Sequence, residues 1–243
     1  MRLDKHLYQH SAFFIIGFFL LALLAFWPSY YSRIGADMEV RFHTHGLAMT
    51  TWCVLLIVQA LLIRFKKFSI HRLIGKVSYV IFPLIIAATL NLIHHQFQDA
   101  GPLANIHLAN IALMVNATLV LAILYGLAIY YQKKPLVHAR YMICTVFPMV
   151  TPVTDRLIYR HYRPLLEYVP TIDGYTMAPA VGFLLADLIL LALVIWDWRT
   201  RKEPGPFAVA LVLLLIYHAS VLYFYDSSIW RAFAEWFLRL PLS

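Results

Sequence analysis

Between Gly46 and Ile63 the chain runs eighteen residues without a charge. At about 1.5 Å of rise per residue, a helix of that length nearly crosses a hydrocarbon core of about 30 Å. Two histidines, His43 and His45, stand at the mouth of the run, and the basic knot Arg64, Lys66 and Lys67 ends it. His71 then opens the next apolar run. The stretch reads as a transmembrane hairpin with a histidine at the start of each arm, the two arms beginning on opposite membrane faces.

Composition extends this to the whole chain. Charged residues make up 13% of the 243, where a soluble domain carries about 25%. A net charge of +8 would suit a nucleic-acid surface, but the basic residues sit in short clusters between apolar runs. That is a pattern of membrane topology, and no nucleic-acid partner is expected. Cys53 and Cys144 both fall inside apolar runs and form no disulfide framework. The N-terminal apolar run ends in Phe26, Trp27 and Pro28, where a signal peptide needs small residues, so it reads as a retained helix.

Seven apolar segments follow one another: 10–28, 43–63, 72–93, 106–131, 136–156, 177–197 and 206–225. Pro28, the Asp99 to Pro102 turn, Pro135, the Pro164 to Gly174 loop and Pro204-Gly205-Pro206 separate them. Pro83, Pro148 and Pro152 are expected to kink their spans. A last piece, Ser228 to Leu240, sets Trp230, Phe233, Trp236 and Phe237 against Arg231, Glu235 and Arg239 and reads as an interfacial helix. The expected fold is all-α: a single polytopic membrane domain over 1–243, a seven-transmembrane-helix bundle with a C-terminal amphipathic helix. Of the twenty Lys and Arg residues, thirteen fall on the N-terminal side: Arg2, Lys5, Arg64, Lys66, Lys67, Arg72, Lys76, Lys133, Lys134, Arg140, Arg199, Arg201 and Lys202. The positive-inside rule then puts the N-terminus in the cytoplasm and the C-terminus outside a bacterial inner membrane.

With that topology the histidines sort by side. His6, His10, His71 and His138 lie at inner ends, while His43, His45, His94, His95, His107 and His161 lie at outer ends. His218 sits within the last span. Four consecutive spans thus alternate: His45 outer, His71 inner, His107 outer, His138 inner. A bis-histidine haem needs two imidazoles approaching iron from opposite faces, across an apolar slot of the kind a bundle supplies. At about 100° per residue, His45, Met49, Trp52, Leu56 and Gln59 share one face. By the same count His107, Asn110, Met114, Thr118 and Tyr125 share another, and so do His71, Gly75, Ser78, Phe82 and Thr89, and His138, Met142, Thr145, Met149 and Arg156. Each stripe suits a planar ligand with Trp52, Gln59 or Asn110 beside it. Each equally suits plain helix–helix contact, and a histidine at a helix end is at home at the headgroup boundary. His43 and His45 point about 200° apart, so they do not share a site.

Asp187 lies near the middle of its span, with His218 at comparable depth on the next. An acid there is costly, and the two form the natural pair, as a proton relay or as a carboxylate orienting an imidazole. Asp155 and Arg156 close the fifth span.

The segment FHTHGLAMTTWCVLLIVQALLI followed by HRLIG resembles a hairpin of uncharacterised bacterial inner-membrane proteins, and HARYMICTVFPMV resembles a third element of theirs. The resemblance covers spans 2 to 5 and implies architecture. In histidine placement alone the chain is also similar to transmembrane di-haem cytochromes b. Their haem ligands would correspond here to His45 with His107 and to His71 with His138. Three functions are therefore expected to compete. The first is haem b on those four histidines, with an electron-transfer role and partner. The second is a zinc-dependent intramembrane hydrolase drawing on the outer donors His43, His94, His95, His107 and His218 with Asp155 or Asp187 as base. The third is a non-catalytic scaffold embedded in the lipid bilayer.

Overall fold

The computed structural model describes residues 3–36, 38–201 and 205–242. Arg2, Lys202 and Pro204, and the side chains of Lys5, His6 and Arg201, lie outside that description. The fold is helical apart from one short hairpin, and it clusters into two compact units, residues 1–89 and 90–243.

In the first unit, α1 (Leu3–Phe26) packs on α2 (Val40–Arg64). The small residues Ala12, Ala22 and Ala25 are buried, which permits close helix approach. A short α3 (Phe68–Gly75) leads through a two-residue turn into α4 (Ser78–Phe97), whose residues from Leu90 onward belong to the other unit.

In the second unit, α5 (Asn105–Tyr130) is followed by α6 (Pro135–Cys144) and α7 (Val150–His161). The expected kinks in this span take a specific form. Pro148 sits in a tight turn, Phe147–Met149, that separates α6 from α7, while Pro152 falls in the first turn of α7, where its missing N–H costs no helical bond. The Pro164 to Gly174 loop ends in a hairpin not foreseen from sequence, β1 (Thr171–Ile172) against β2 (Tyr175–Thr176). Its Asp173-Gly174 tip has φ of 51° and 81°, the pair of positive values that a two-residue hairpin turn requires. The Asp173 carboxylate then accepts from the Ile106 N–H at 3.1 Å and Asn105 Nδ2 at 3.3 Å, capping the start of α5. Two long helices follow, α8 (Pro179–Arg201) and α9 (Pro206–Tyr223), then α10 (Ser228–Leu238). At Gly182 of α8 a Cβ would stand 3.0 Å from the Thr151 Cα, so α7 seats against α8 only because that side chain is absent.

Among the described residues, six helical segments are long and apolar enough to cross a membrane: Val40–Arg64, Phe68–Phe97, Asn105–Tyr130, Pro135–His161, Pro179–Thr200 and Pro206–Tyr223. The N-terminal apolar segment, His10–Phe26, is shorter. Large apolar side chains such as Phe14, Val80, Leu184 and Ile216 face outward, as a lipid environment allows. The chain is a helical protein compatible with a bilayer.

Helix α10 differs from its expectation in one respect. Its apolar face is turned into the protein, where Ala234 and Phe237 join Ile93, Phe97, Leu108 and Ile111 in one buried cluster. Polar side chains fasten it there: Trp230 Nε1 donates to the Leu108 carbonyl at 3.0 Å and Arg231 to the Leu103 carbonyl at 2.9 Å. Ile229 and Trp236 remain on its outer side.

Candidate functional site

The face of α2 carrying His45, Trp52 and Gln59 is the seam on which α3 and α4 fold back. His45 Nδ1 lies 3.1 Å from Thr89 Oγ1, the Trp52 ring meets Phe82 edge-on at 5.3 Å, and Gln59 reaches His71 and Gly75. With its amide nitrogen turned to His71, Gln59 donates to that carbonyl at 3.1 Å and to Nδ1, and its oxygen accepts from the Gly75 N–H at 3.0 Å. The contacts step by seven residues down each arm in opposite directions, 45, 52, 59 against 89, 82, 75, which is two turns per step in an antiparallel pair. His43 takes a different neighbour: its ring stands edge-on to Tyr30 at 5.8 Å, and its carbonyl accepts from the Tyr30 hydroxyl at 3.4 Å. The Tyr30 ring lies over Gly46, where a Cβ would overlap it. Tyr31 bonds Thr50 at 2.8 Å, and burial raises the phenol pKa of both tyrosines above the ordinary value.

Hydrogen-bond accounting fixes several imidazole tautomers. Thr89 donates its one hydroxyl hydrogen to the Ile85 carbonyl at 2.7 Å, so toward His45 it accepts, and Nδ1 of His45 carries the hydrogen. His138 Nδ1 meets the Ala128 carbonyl at 2.8 Å, and a carbonyl only accepts, so the same assignment holds. His71 is the reverse case, since its Nδ1 accepts from Gln59.

In the second unit the outer-side candidates separate. His94 is buried, donates from Nε2 to the Leu238 carbonyl at 3.1 Å and packs on Phe237. His95 pairs with Gln98 at 3.3 Å, and half-buried His107 leans on Phe97 with ring centres 6.2 Å apart. Asn110 is half-buried on α5. Arg156 donates to the Pro152 carbonyl of its own helix at 2.9 Å. Among the described residues no three His, Cys, Asp or Glu side chains converge enough to hold a metal ion. The zinc set drawn from His94, His95, His107 and His218 is therefore not brought together.

Asp187 and His218 do meet. His218 Nδ1 lies 2.9 Å from Asp187 Oδ2, joining α8 to α9 inside the second unit. Phe183 stacks on the imidazole at 4.0 Å with planes 19° apart, and Tyr217 flanks it at 4.9 Å. The second carboxylate oxygen, Oδ1, is buried with no hydrogen-bond partner among the described residues. Most buried polar atoms have one, and Oδ1 shares this state with His94 Nδ1 and His107 Nδ1 among others.

A buried ion pair, Arg140 with Asp197, was missed from sequence because Arg140 counts there as a loop charge. Arg140 is fully buried, and its guanidinium donates to Asp197 Oδ1 at 2.9 Å and to the Leu136 carbonyl at 3.1 Å. The available signal was Asp197 itself, a lone acid between Trp196 and Trp198 at the end of an apolar run.

No family model matches the chain, and neither a curated protein nor a solved structure does.

Proposed function

We propose that this is an integral membrane protein that exchanges protons at the Asp187–His218 pair. The observation that carries the reading is a carboxylate and an imidazole at 2.9 Å within two spanning helices, with the far carboxylate oxygen buried and unsatisfied. An aspartate at the centre of a span costs about 2.5–3.5 kcal/mol on insertion scales, so one that persists there is read first as functional. The chemistry balances simply. A proton taken at His218 Nε2 makes imidazolium, the Nδ1 hydrogen passes to Asp187 Oδ2, and the carboxyl group releases a proton after rotating. One proton enters and one leaves, His218 ends with its hydrogen on Nε2 in place of Nδ1, and the reverse transfer resets the pair; no covalent bond between heavy atoms changes.

The test is infrared difference spectroscopy of the purified protein between acid and alkaline buffer. A protonated-carboxyl band that disappears in Asp187→Asn and shifts in His218→Gln is expected. A spectrum unaltered by either substitution overturns the reading.

A second reading, haem b with an electron-transfer role, is favoured by the tautomers of His45 and His138. Both hold hydrogen on Nδ1, the state in which Nε2 coordinates iron, whereas His71, whose Nδ1 accepts from Gln59, does not share it. The finer topology belongs to the same proposal: α1 as a seventh span, a bacterial inner membrane, the N-terminus cytoplasmic and the C-terminus outside. The excess of Lys and Arg in the loops after spans 2, 4 and 6 supports it.

A further inference from the structure

We infer that Arg140 and Asp197 form a latch that holds shut the α6–α8–α9 end of the seam containing Asp187 and His218. The inference rests on the proton-exchange reading for its purpose and on independent geometry for its existence.

The latch lies ten residues along α8 from Asp187, about 15 Å at helical rise. Arg140 engages three helices at once. It bonds the Leu136 carbonyl of its own α6, pairs with Asp197 of α8, and lies over the ring of Phe207 in the first turn of α9 with its guanidinium carbon 5.9 Å from the centroid. Asp197 completes the closure from the other side. Its Oδ2 stands 2.6 Å from where a Cβ of Gly205 would be, so the carboxylate abuts the residue just before α9. Anionic charge is favourable at a helix N-terminus, so Asp197 is drawn by the guanidinium and by α9 together. Both side chains are buried, with 1% of Arg140 and 3% of Asp197 exposed. Behind it Leu190, Ala210 and Leu214 are fully buried.

An ion pair removed from water adds little plain stability, because apolar residues of similar volume serve as well or better. What the pair adds is directionality: Arg140 reaches all its partners only where three helix ends converge. The structure is thus the state in which the seam is closed at this end.

The experiment introduces Ala210→Cys into the full-length protein, with Cys53 and Cys144 replaced by serine and alanine, and measures reaction of the new thiol with a water-soluble reagent. Arg140→Met with Asp197→Leu replaces the latch by apolar bulk and should preserve the melting temperature, while Asp197→Asn keeps the shape and removes the charge. Asp197→Asn, which leaves the Arg140 guanidinium without its anion, is expected to speed labelling at position 210 several-fold over the parent with its latch intact, and the apolar pair to label no faster than the parent, with Asp187→Asn leaving the rate unchanged. Labelling of Asp197→Asn at the parental rate overturns the inference. A null infrared result for Asp187→Asn, by contrast, strikes the proton-exchange reading and leaves the latch standing.

Discussion

At the scale of single residues, the informative groups are those whose hydrogen bonds leave no choice. Thr89 has one hydrogen and gives it to Ile85, which decides the tautomer of His45. Gln59 matters for a related reason. Its amide spans the His71 carbonyl and the Gly75 N–H, groups four residues apart that a helix would ordinarily join to each other, just where α3 ends. Gln59→Leu keeps the volume and deletes these bonds together with the one to His71 Nδ1. With interhelical hydrogen bonds in membranes worth about 1 kcal/mol each, the variant should melt measurably lower in detergent. An unchanged melting temperature would mean that the apolar packing of Trp52 on Phe82 holds the hairpin alone.

At the scale of elements, helical phase was legible and partnership was not. Counting at about 100° per residue puts His45, Trp52 and Gln59 on one face of α2 and Gly75, Phe82 and Thr89 on one face of the next arm. That the two faces close on each other, seven residues per step, follows from the turn between them and needed coordinates. The stripe read as room for a planar ligand is in large part this seam. Helix α10 teaches the same lesson. Its amphipathicity was plain in the sequence, but an apolar face has no label saying lipid or protein, and Trp230 and Arg231 settle the matter by bonding one carbonyl in the first turn of α5 and one just before it. The Asp173 cap on α5 joins segments 67 residues apart and has no local signature beyond its turn-forming Asp-Gly.

At the scale of the whole molecule, two measurements separate the functional readings and the topology. Visible absorption of protein purified from a haem-supplied host should show a Soret band, lost in His45→Ala, if haem b is bound; a colourless preparation removes the second reading. Cysteines placed at Asp99 and at Lys133, in otherwise cysteine-free protein, should react with an impermeant reagent from opposite sides of sealed vesicles. Reaction of both from one side would contradict the proposed orientation.

Six of the seven apolar segments read along the chain coincide with helical segments long enough to cross a bilayer, because exclusion from hydrocarbon is a property of consecutive residues; the first, His10–Phe26, is shorter. The sequence by itself also singled out Asp187 and His218, since an ionisable group inside an apolar run is conspicuous before any partner is known. Only the tertiary structure decided which polar groups meet. Arg140 lies in a basic-looking stretch, yet it finds Asp197 fifty-seven residues away because three helix ends converge around it. The outer histidines, grouped by side in the sequence, are instead dispersed among Tyr30, Thr89, Leu238 and Phe97, since each ring is claimed by the nearest group able to complete its hydrogen bonds or its packing.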